Sequence, residues 1–176
     1  GHGFASCCER PVINLESVRR HPCQGLADAL TLQERLVSPR GRRCVLSWAY
    51  HPKPLPTAVP ASAAIAAASL GMNLHIAHPP GYELDPDDLA TIARVANGAG
   101  GSVSTGHKLD EAIDGADVVY VKSWGALRHF GRPAEEAELR AAYRDWRMTE
   151  ARSHKLSDDG FVMHCLPVRR NIEIDD

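Results

Sequence analysis

Short apolar runs alternate with helical stretches between Arg42 and His164, and this alternation constrains the fold more than any other feature of the chain. Such an alternation is typical of strands and helices that build a parallel sheet. The predicted strands are 44–49, 73–77, 102–105, 118–121 and 161–164. The sequence therefore predicts an α/β fold in which a parallel sheet is flanked by helices.

Helices are predicted in the intervals between these strands. The alanine-rich helix is followed by Gly71, which suits the left-handed backbone at a helix end. Asp85 can cap the next helix, Pro86 suits its first position, and two aspartates follow near the positive end of its dipole. The predicted helices of this part of the chain are 58–70, 85–96, 109–113 and 133–143.

The segment before residue 38 has a different pattern. Residues 11–15 are predicted to form a strand, although no neighbouring strand is evident there, and residues 22–37 have the apolar spacing of an amphipathic helix. We expect residues 1–37 to be the tail of a preceding domain with its linking helix. We expect residues 38–176 to form a second domain that stops soon after its last strand.

Charge and composition limit the kinds of molecule that this chain is expected to bind. The 176 residues carry a net charge of -2, so no basic excess indicates a nucleic acid or a membrane surface as a partner. The alanine-rich stretch is too short to span a bilayer, and residues 1–9 lack the pattern of a signal peptide. The five cysteines show no C-x-x-C spacing, which favours free thiols and a cytoplasmic protein.

Neither a dinucleotide cofactor nor a metal ion is expected. The loop at residues 50–56 holds three prolines, which remove backbone N–H donors where a dinucleotide-binding fold requires glycines. His75 and His78 are three residues apart, so on a strand they would face opposite sides of the sheet. Without a further ligand pattern, this spacing favours ordinary surface or loop histidines over a zinc site.

Two short motifs carry a more specific signal. His21-Pro22-Cys23-Gln24, followed by Leu-Ala-Asp, stands directly before the long helix, and His164-Cys165-Leu166-Pro167 follows the last predicted strand. In open parallel sheets, ligands collect at the carboxyl ends of strands and at helix starts. Both motifs therefore lie where a binding site is expected.

Together these motifs resemble those of the aspartate and ornithine carbamoyltransferase family, and the resemblance extends over nearly the whole chain from about Pro11. Residues 13–17, 48, 51–54, 122–127 and 164–171 are most similar to the N-acylornithine branch. Ordinary ornithine carbamoyltransferases carry a Ser-Met-Gly loop where this sequence has Lys122 and Trp124. The resemblance implies the ornithine-binding-type domain of the carbamoyltransferase fold, preceded by the tail of a truncated first domain.

The resemblance also implies an activity. A carbamoyl group would pass from carbamoyl phosphate to the δ-amine of an N-acylornithine, giving N-acylcitrulline and phosphate in arginine biosynthesis. We expect N-acetylornithine as the acceptor, with N-succinylornithine as the alternative within the branch. An ordinary ornithine carbamoyltransferase and a non-catalytic amino-acid-binding remnant stay open as alternatives.

The resemblance assigns roles to the residues of both motifs. His21 would donate to the carbonyl oxygen, Gln24 would hold the carbamoyl amino group, and the backbone carbonyls of Cys165 and Leu166 would accept from that group or from the attacking amine. Because positioned donors suffice for this transfer, the thiols are expected to be positional rather than nucleophilic. The residues expected to bind carbamoyl phosphate are His21, Pro22, Cys23, Gln24, Cys165 and Leu166.

A second set of residues would bind the acylated amino acid. Lys122 or Arg169 can pair with its carboxylate, Arg169 with bidentate geometry. Trp124 could either pack beneath its loop or contact the ligand, and it is not counted among the site residues. The expected acylornithine-binding residues are Glu16, His51, Lys122, Leu166 and Arg169.

Two family features have no counterpart in this sequence: the Ser-x-Arg-Thr loop of the first domain, and a further arginine with closing helices after His-Cys-Leu-Pro. Residues 1–8 also match no family pattern. The resemblance implies that the parent protein is a homotrimeric enzyme. Because the two features are missing here, we expect this chain alone to turn over poorly or not at all. Sequencing the DNA on both sides of the coding segment would test whether the two features are encoded there.

Overall fold

The computed structural model describes residues 2–176, so Gly1, the first residue of the segment without a family pattern, lies outside the described residues. A five-stranded sheet in the order β3-β2-β1-β4-β5 forms the centre, and every pairing is parallel. The strands are β1 Arg43–Trp48, β2 Asn73–Ala77, β3 Ser102–Gly106, β4 Val118–Lys122 and β5 Phe161–Met163. The predicted α/β class and all five predicted strands of the sheet are confirmed.

The five predicted helices are present in the predicted order; the helix at 109–113 has its predicted bounds, and the ends of the others differ by up to three residues. The short helices at 2–5 and 150–153 have no counterpart among the predictions. Gly71 adopts a φ of 71° just beyond α3, and the Asp85 side chain accepts from the Asp87 N–H at the start of α4. Helix α4 continues three residues beyond its predicted end, to a left-handed Gly100. The helices are α1 His2–Ala5, α2 Pro22–Arg35, α3 Ala58–Ser69, α4 Pro86–Ala99, α5 Leu109–Ile113, α6 Pro133–Ala141 and α7 Glu150–Ser153, with a 3-10 turn at Leu127–His129.

The predicted strand at residues 11–15 is wrong. This segment has no regular structure, and Ile13 and Leu15 are 78% and 65% exposed. A strand needs a neighbouring strand for its hydrogen bonds. Within residues 2–176 the edge strands of the sheet are β3 and β5, and neither of them pairs with residues 11–15. The apolar residues that suggested a strand are therefore uncovered in this chain.

Successive residues of the central strands supply the two faces of the sheet. Leu46 and Trp48 pack into the cluster beneath α3 and α4, whereas Val45 and Ala49 pack into the cluster beneath α5. This division follows from the twofold alternation of a strand. The small side chains of α3 let it pack closely against the sheet, and α2 packs on α3 in turn. A domain boundary at residue 38 stays a prediction.

No helix among residues 2–176 is long and apolar enough to cross a membrane.

Candidate functional site

A pocket of about 240 Å³ lies at the carboxyl end of the sheet, where the start of α2 faces the ends of β4 and β5. It lies at this edge because all strands run parallel, so that the segments following β4 and β5 meet there. Both sequence motifs contribute to the lining. The predicted site residues that line it are Glu16, His21, Gln24, Lys122, Cys165 and Leu166.

The imidazole of His21 is held at the amino end of α2. Its Nδ1 atom accepts from the Gln24 backbone N–H at 3.3 Å, and the His21 backbone N–H donates to Ser62 Oγ at 2.9 Å. Because an accepting ring nitrogen carries no proton, the neutral imidazole has its proton on Nε2. Nε2 lies 3.9 Å from the Glu16 carboxylate and provides a hydrogen-bond donor for the pocket.

Lys122 provides a positive charge at the end of β4. The residue is 9% exposed, and its ammonium takes part in none of the ion pairs formed by the described residues. The buried Glu173 carboxylate acts on this charge only from beyond ion-pair distance, so a ligand that supplies a negative charge in direct contact would stabilise it. Lys122 therefore favours a ligand that carries a carboxylate or another anionic group.

The Cys165 thiol is largely shielded from solvent. The residue is 8% exposed, and burial raises the pKa of this thiol, although the nearby Lys122 opposes the shift. A raised pKa keeps the thiol protonated and therefore weakens it as a nucleophile. His164, its neighbour in the sequence, directs its ring to Glu173 at 3.5 Å. The environment of Cys165 supports the predicted positional role.

Alkylation rates should reveal this environment. At neutral pH we expect iodoacetamide to label Cys165 roughly tenfold or more slowly than the exposed Cys23, because only the thiolate reacts. Cys44, whose pKa burial raises to about 12, should be labelled slowest. Peptide mass spectrometry measures the three rates, and unfolding in urea should make them equal. Preferential labelling of Cys165 in the folded protein would contradict the assignment.

Four predicted site residues do not line this pocket. Cys23 is exposed, and Pro22 lines a different pocket, between α2 and α3. His51 is buried, and its Nδ1 lies 2.7 Å from the Lys53 carbonyl oxygen and 3.0 Å from the Lys53 backbone nitrogen, whereas Arg169 is exposed. Burial lowers the pKa of His51, and the charges of Glu173, Arg169 and Lys122 also act on it. His51 and Arg169 are therefore neighbours of the pocket rather than parts of its wall.

Glu173 is a buried residue that sequence reasoning missed. Its Oε2 accepts from the Arg169 backbone N–H at 3.0 Å, and its Oε1 lies 3.5 Å from His164 Nε2. Burial acts to raise the pKa of Glu173, but His164, this N–H and Lys122 hold it below its ordinary value. The carboxylate thus shapes the segment that follows β5. Its position, nine residues after His164 and outside any motif, gave no signal.

Arg140 joins the loops that follow β1 and β4. Its guanidinium donates to the backbone oxygens of His51 at 3.3 Å and Trp124 at 3.0 Å, and it pairs with Glu136. The Trp124 indole is buried and donates to the Tyr82 oxygen at 2.8 Å, which resolves its role as packing. These contacts fix the loop that begins at Lys122. Sequence reasoning missed Arg140 because it looks like an ordinary helix-surface residue.

A larger pocket of about 530 Å³ adjoins the first and shares Leu55 and Pro56 with it. Apolar residues such as Val18, Leu127 and Phe130 contribute much of its lining. The proline-rich loop after β1 thus lies between two cavities, which the sequence did not predict. Leaving aside the side chains of His2 and Phe4, residues 2–176 contain no group of three or more potential ligands arranged to hold a metal ion.

Comparisons with known proteins agree with this geometry. Residues 56–176 match the model of the aspartate/ornithine carbamoyltransferase Asp/Orn-binding domain. N-acetylornithine carbamoyltransferase of Xanthomonas campestris pv. campestris is 45% identical over 98% of this chain, and N-succinylornithine carbamoyltransferase of Bacteroides thetaiotaomicron is 34% identical over 98%. These alignments cover 51% and 49% of the two relatives, so the chain spans about half of their length.

Solved structures show the same likeness. A crystal structure of acetylornithine transcarbamylase complexed with acetylcitrulline is 43% identical and superimposes with a TM-score of 0.94, covering 99% of this chain and 53% of that protein. A mutant of N-acetyl-L-ornithine transcarbamylase complexed with carbamyl phosphate and N-succinyl-L-norvaline gives the same TM-score at 43% identity, with the same coverage. The fold and pocket thus define an amino-acid-binding domain of the carbamoyltransferase type. The chain belongs to the aspartate/ornithine carbamoyltransferase family.

Proposed function

We propose that this chain provides the acylornithine-binding part, and one wall of the carbamoyl phosphate site, of an N-acylornithine carbamoyltransferase. The observation that carries the proposal is the meeting of His21, Gln24, Lys122, Cys165 and Leu166 around one pocket. These residues come from three separate segments of the sequence. The pocket therefore places hydrogen-bond donors and acceptors beside a cation that has no anionic partner among the described residues.

The proposed reaction requires positioned groups rather than a nucleophilic side chain. The neutral δ-amine attacks the carbonyl carbon of carbamoyl phosphate, the new C–N bond forms, the bond to the phosphate oxygen breaks, and the amine loses a proton as phosphate leaves. His21 Nε2–H donates to the developing oxyanion. Gln24 and the Cys165 and Leu166 carbonyls orient the nitrogen atoms, while Lys122 pairs with the substrate carboxylate.

N-acetylornithine is the proposed acceptor. The support is the higher identity to the named N-acetylornithine carbamoyltransferases, 45% against 34% for the N-succinylornithine relative. We further propose a homotrimer for the whole protein and a cytoplasmic location, which the five free cysteines favour. Residues 1–37 and 38–176 are proposed as the domain division.

A product assay tests the function. The full-length protein that carries this sequence, supplied with carbamoyl phosphate, should form N-acetylcitrulline faster than N-succinylcitrulline, and citrulline from ornithine most slowly. Mass spectrometry distinguishes the three products. For the 176-residue chain alone we expect acceptor binding with little turnover, because its sequence contains no Ser-x-Arg-Thr segment.

Two outcomes would favour the alternatives. Citrulline as the main product would indicate an ordinary ornithine carbamoyltransferase. Binding of N-acetylornithine without any carbamoyl transfer by the full-length protein would indicate an amino-acid-binding protein.

A further inference from the structure

The buried carboxylate of Asp28 is in contact with the Gln24 side chain. Asp28 follows Gln24 by one turn of α2, so the two side chains lie on the same face of that helix. Asp28 is only 4% exposed, and its Oδ1 accepts a hydrogen bond from Gln24 Nε2 at 2.8 Å. The reaction described above gives this carboxylate no role.

The chemistry of the pair fixes the direction of the Gln24 carboxamide. One end of a carboxamide donates and the other accepts, and a half-turn exchanges the two ends with little change of shape. An ionised carboxylate only accepts, so Asp28 selects the orientation in which Nε2 faces it. The carbonyl oxygen of Gln24 then lies at the other end of the carboxamide, and Gln24 itself lines the pocket.

The contact with Gln24 is the one regular hydrogen bond that the Asp28 side chain forms within residues 2–176. Its second oxygen is buried without a partner, and so is the Tyr120 hydroxyl nearby. Burial raises the pKa of Tyr120, and the Asp28 charge adds to that effect. Burying a carboxylate costs free energy that a single hydrogen bond offsets only in part. A change at Asp28 should therefore be felt at Gln24, and the Tyr120 hydroxyl also interacts with this carboxylate.

We propose that Asp28 is a positioning residue that holds the Gln24 carbonyl oxygen toward the pocket, so that the site selects an amide-bearing ligand over a carboxylate of the same shape. An amide N–H can donate to that oxygen, whereas a carboxylate would place two acceptors against each other. The inference rests on the proposed function, which assigns the carbamoyl amino group to Gln24.

Two ligands of matched shape test the selection. Phosphonoacetamide is a stable analogue of carbamoyl phosphate, and phosphonoacetate replaces its amide by a carboxylate. Their dissociation constants for the full-length protein that carries this sequence can be measured by NMR titration, which also detects weak binding. The wild type should prefer phosphonoacetamide. Asp28→Asn should reduce this preference about tenfold, because a neutral carboxamide can pair with either end of Gln24.

A double-mutant cycle separates positioning from a general structural effect. In a Gln24→Ala background, Asp28→Asn should leave the ratio of the two dissociation constants unchanged. A merely structural role would weaken both ligands equally and in both backgrounds. Asp117→Asn is the matched control, because that carboxylate accepts the Arg43 backbone N–H at 2.7 Å at the amino end of the strands, opposite the pocket. It should leave the ratio at its wild-type value.

A ligand-free measurement checks the contact itself. In the 15N-labelled protein, one Gln24 carboxamide proton should exchange slowly with solvent in the wild type and rapidly in Asp28→Asn. If the wild type prefers phosphonoacetamide and Asp28→Asn keeps that preference, the inference about Asp28 is overturned while the proposed function stands. If the wild type shows no preference for phosphonoacetamide, the proposed function is contradicted as well.

Discussion

Lys122→Met should weaken the binding of N-acetylornithine about 10- to 100-fold, since a hydrogen bond to a charged group contributes about 1.5–3 kcal/mol. Lys122 is the cation of the pocket that lacks an anionic partner among the described residues, and Met keeps most of its apolar length. Isothermal titration calorimetry with the purified protein measures the change. Lys155→Met, at an exposed lysine that pairs with Asp110 at 2.8 Å, is the matched control and should bind like the wild type.

A ligand without the carboxylate identifies what Lys122 recognises. N-acetylputrescine is N-acetylornithine without its carboxylate, so it should bind more weakly to the wild type. Lys122→Met should bind both compounds with similar affinity, because the charge that distinguishes them is gone. If the variant still prefers N-acetylornithine as strongly as the wild type does, Lys122 is not the carboxylate partner, and Arg169 becomes the next residue to test.

Arg140→Met should lower the free energy of unfolding by about 3–5 kcal/mol, because removing one member of a buried ion pair leaves the other charge uncompensated. Arg140 and Glu136 are both 2% exposed, and Glu136 also accepts the Ala126 backbone N–H at 3.1 Å. Urea unfolding followed by circular dichroism gives the value. The double variant Glu136→Leu with Arg140→Met should be less destabilised than Arg140→Met alone, since no unpaired charge remains.

An exposed ion pair near the same helix provides the comparison. Arg132 and Glu135 approach to 2.8 Å, but both side chains are more than half exposed. Arg132→Met should therefore change the unfolding free energy by less than about 1 kcal/mol. A similar loss in Arg132→Met and Arg140→Met would contradict the view that the buried guanidinium ties the loops after β1 and β4 together.

The fold could be predicted from the sequence wherever local pattern and tertiary packing agree. Residues 73–77 and 109–113 have the predicted bounds. For the strand 73–77, a short apolar run with flanking polar or breaking residues marks the limits. Residues 11–15 carry a similar apolar pattern but form no strand. Strand formation depends on a neighbour elsewhere in the structure, and no local pattern shows whether that neighbour is present.

Some residues of the candidate site could be predicted from the sequence and others could not. His21 and Gln24 lie in one short motif, and Cys165 and Leu166 in another, so contiguous sequence reveals them. Asp28, Arg140 and Glu173 act through contacts that only the folded chain creates. Asp28 is part of the Leu-Ala-Asp segment that supported the resemblance, yet its role depends on its burial and on the direction of the Gln24 carboxamide. No characteristic sequence spacing identifies such positioning residues.

A bisubstrate analogue tests the central claim, that one pocket holds the carbamoyl group and the acylornithine together. The analogue joins a phosphonoacetyl group to the δ-nitrogen of N-acetylornithine, and calorimetry measures its affinity and stoichiometry. We expect one analogue to bind per chain, more tightly than phosphonoacetamide or N-acetylornithine alone, and to lose affinity in both Gln24→Ala and Lys122→Met. Binding no tighter than that of the separate parts, or binding unchanged in either variant, would contradict it.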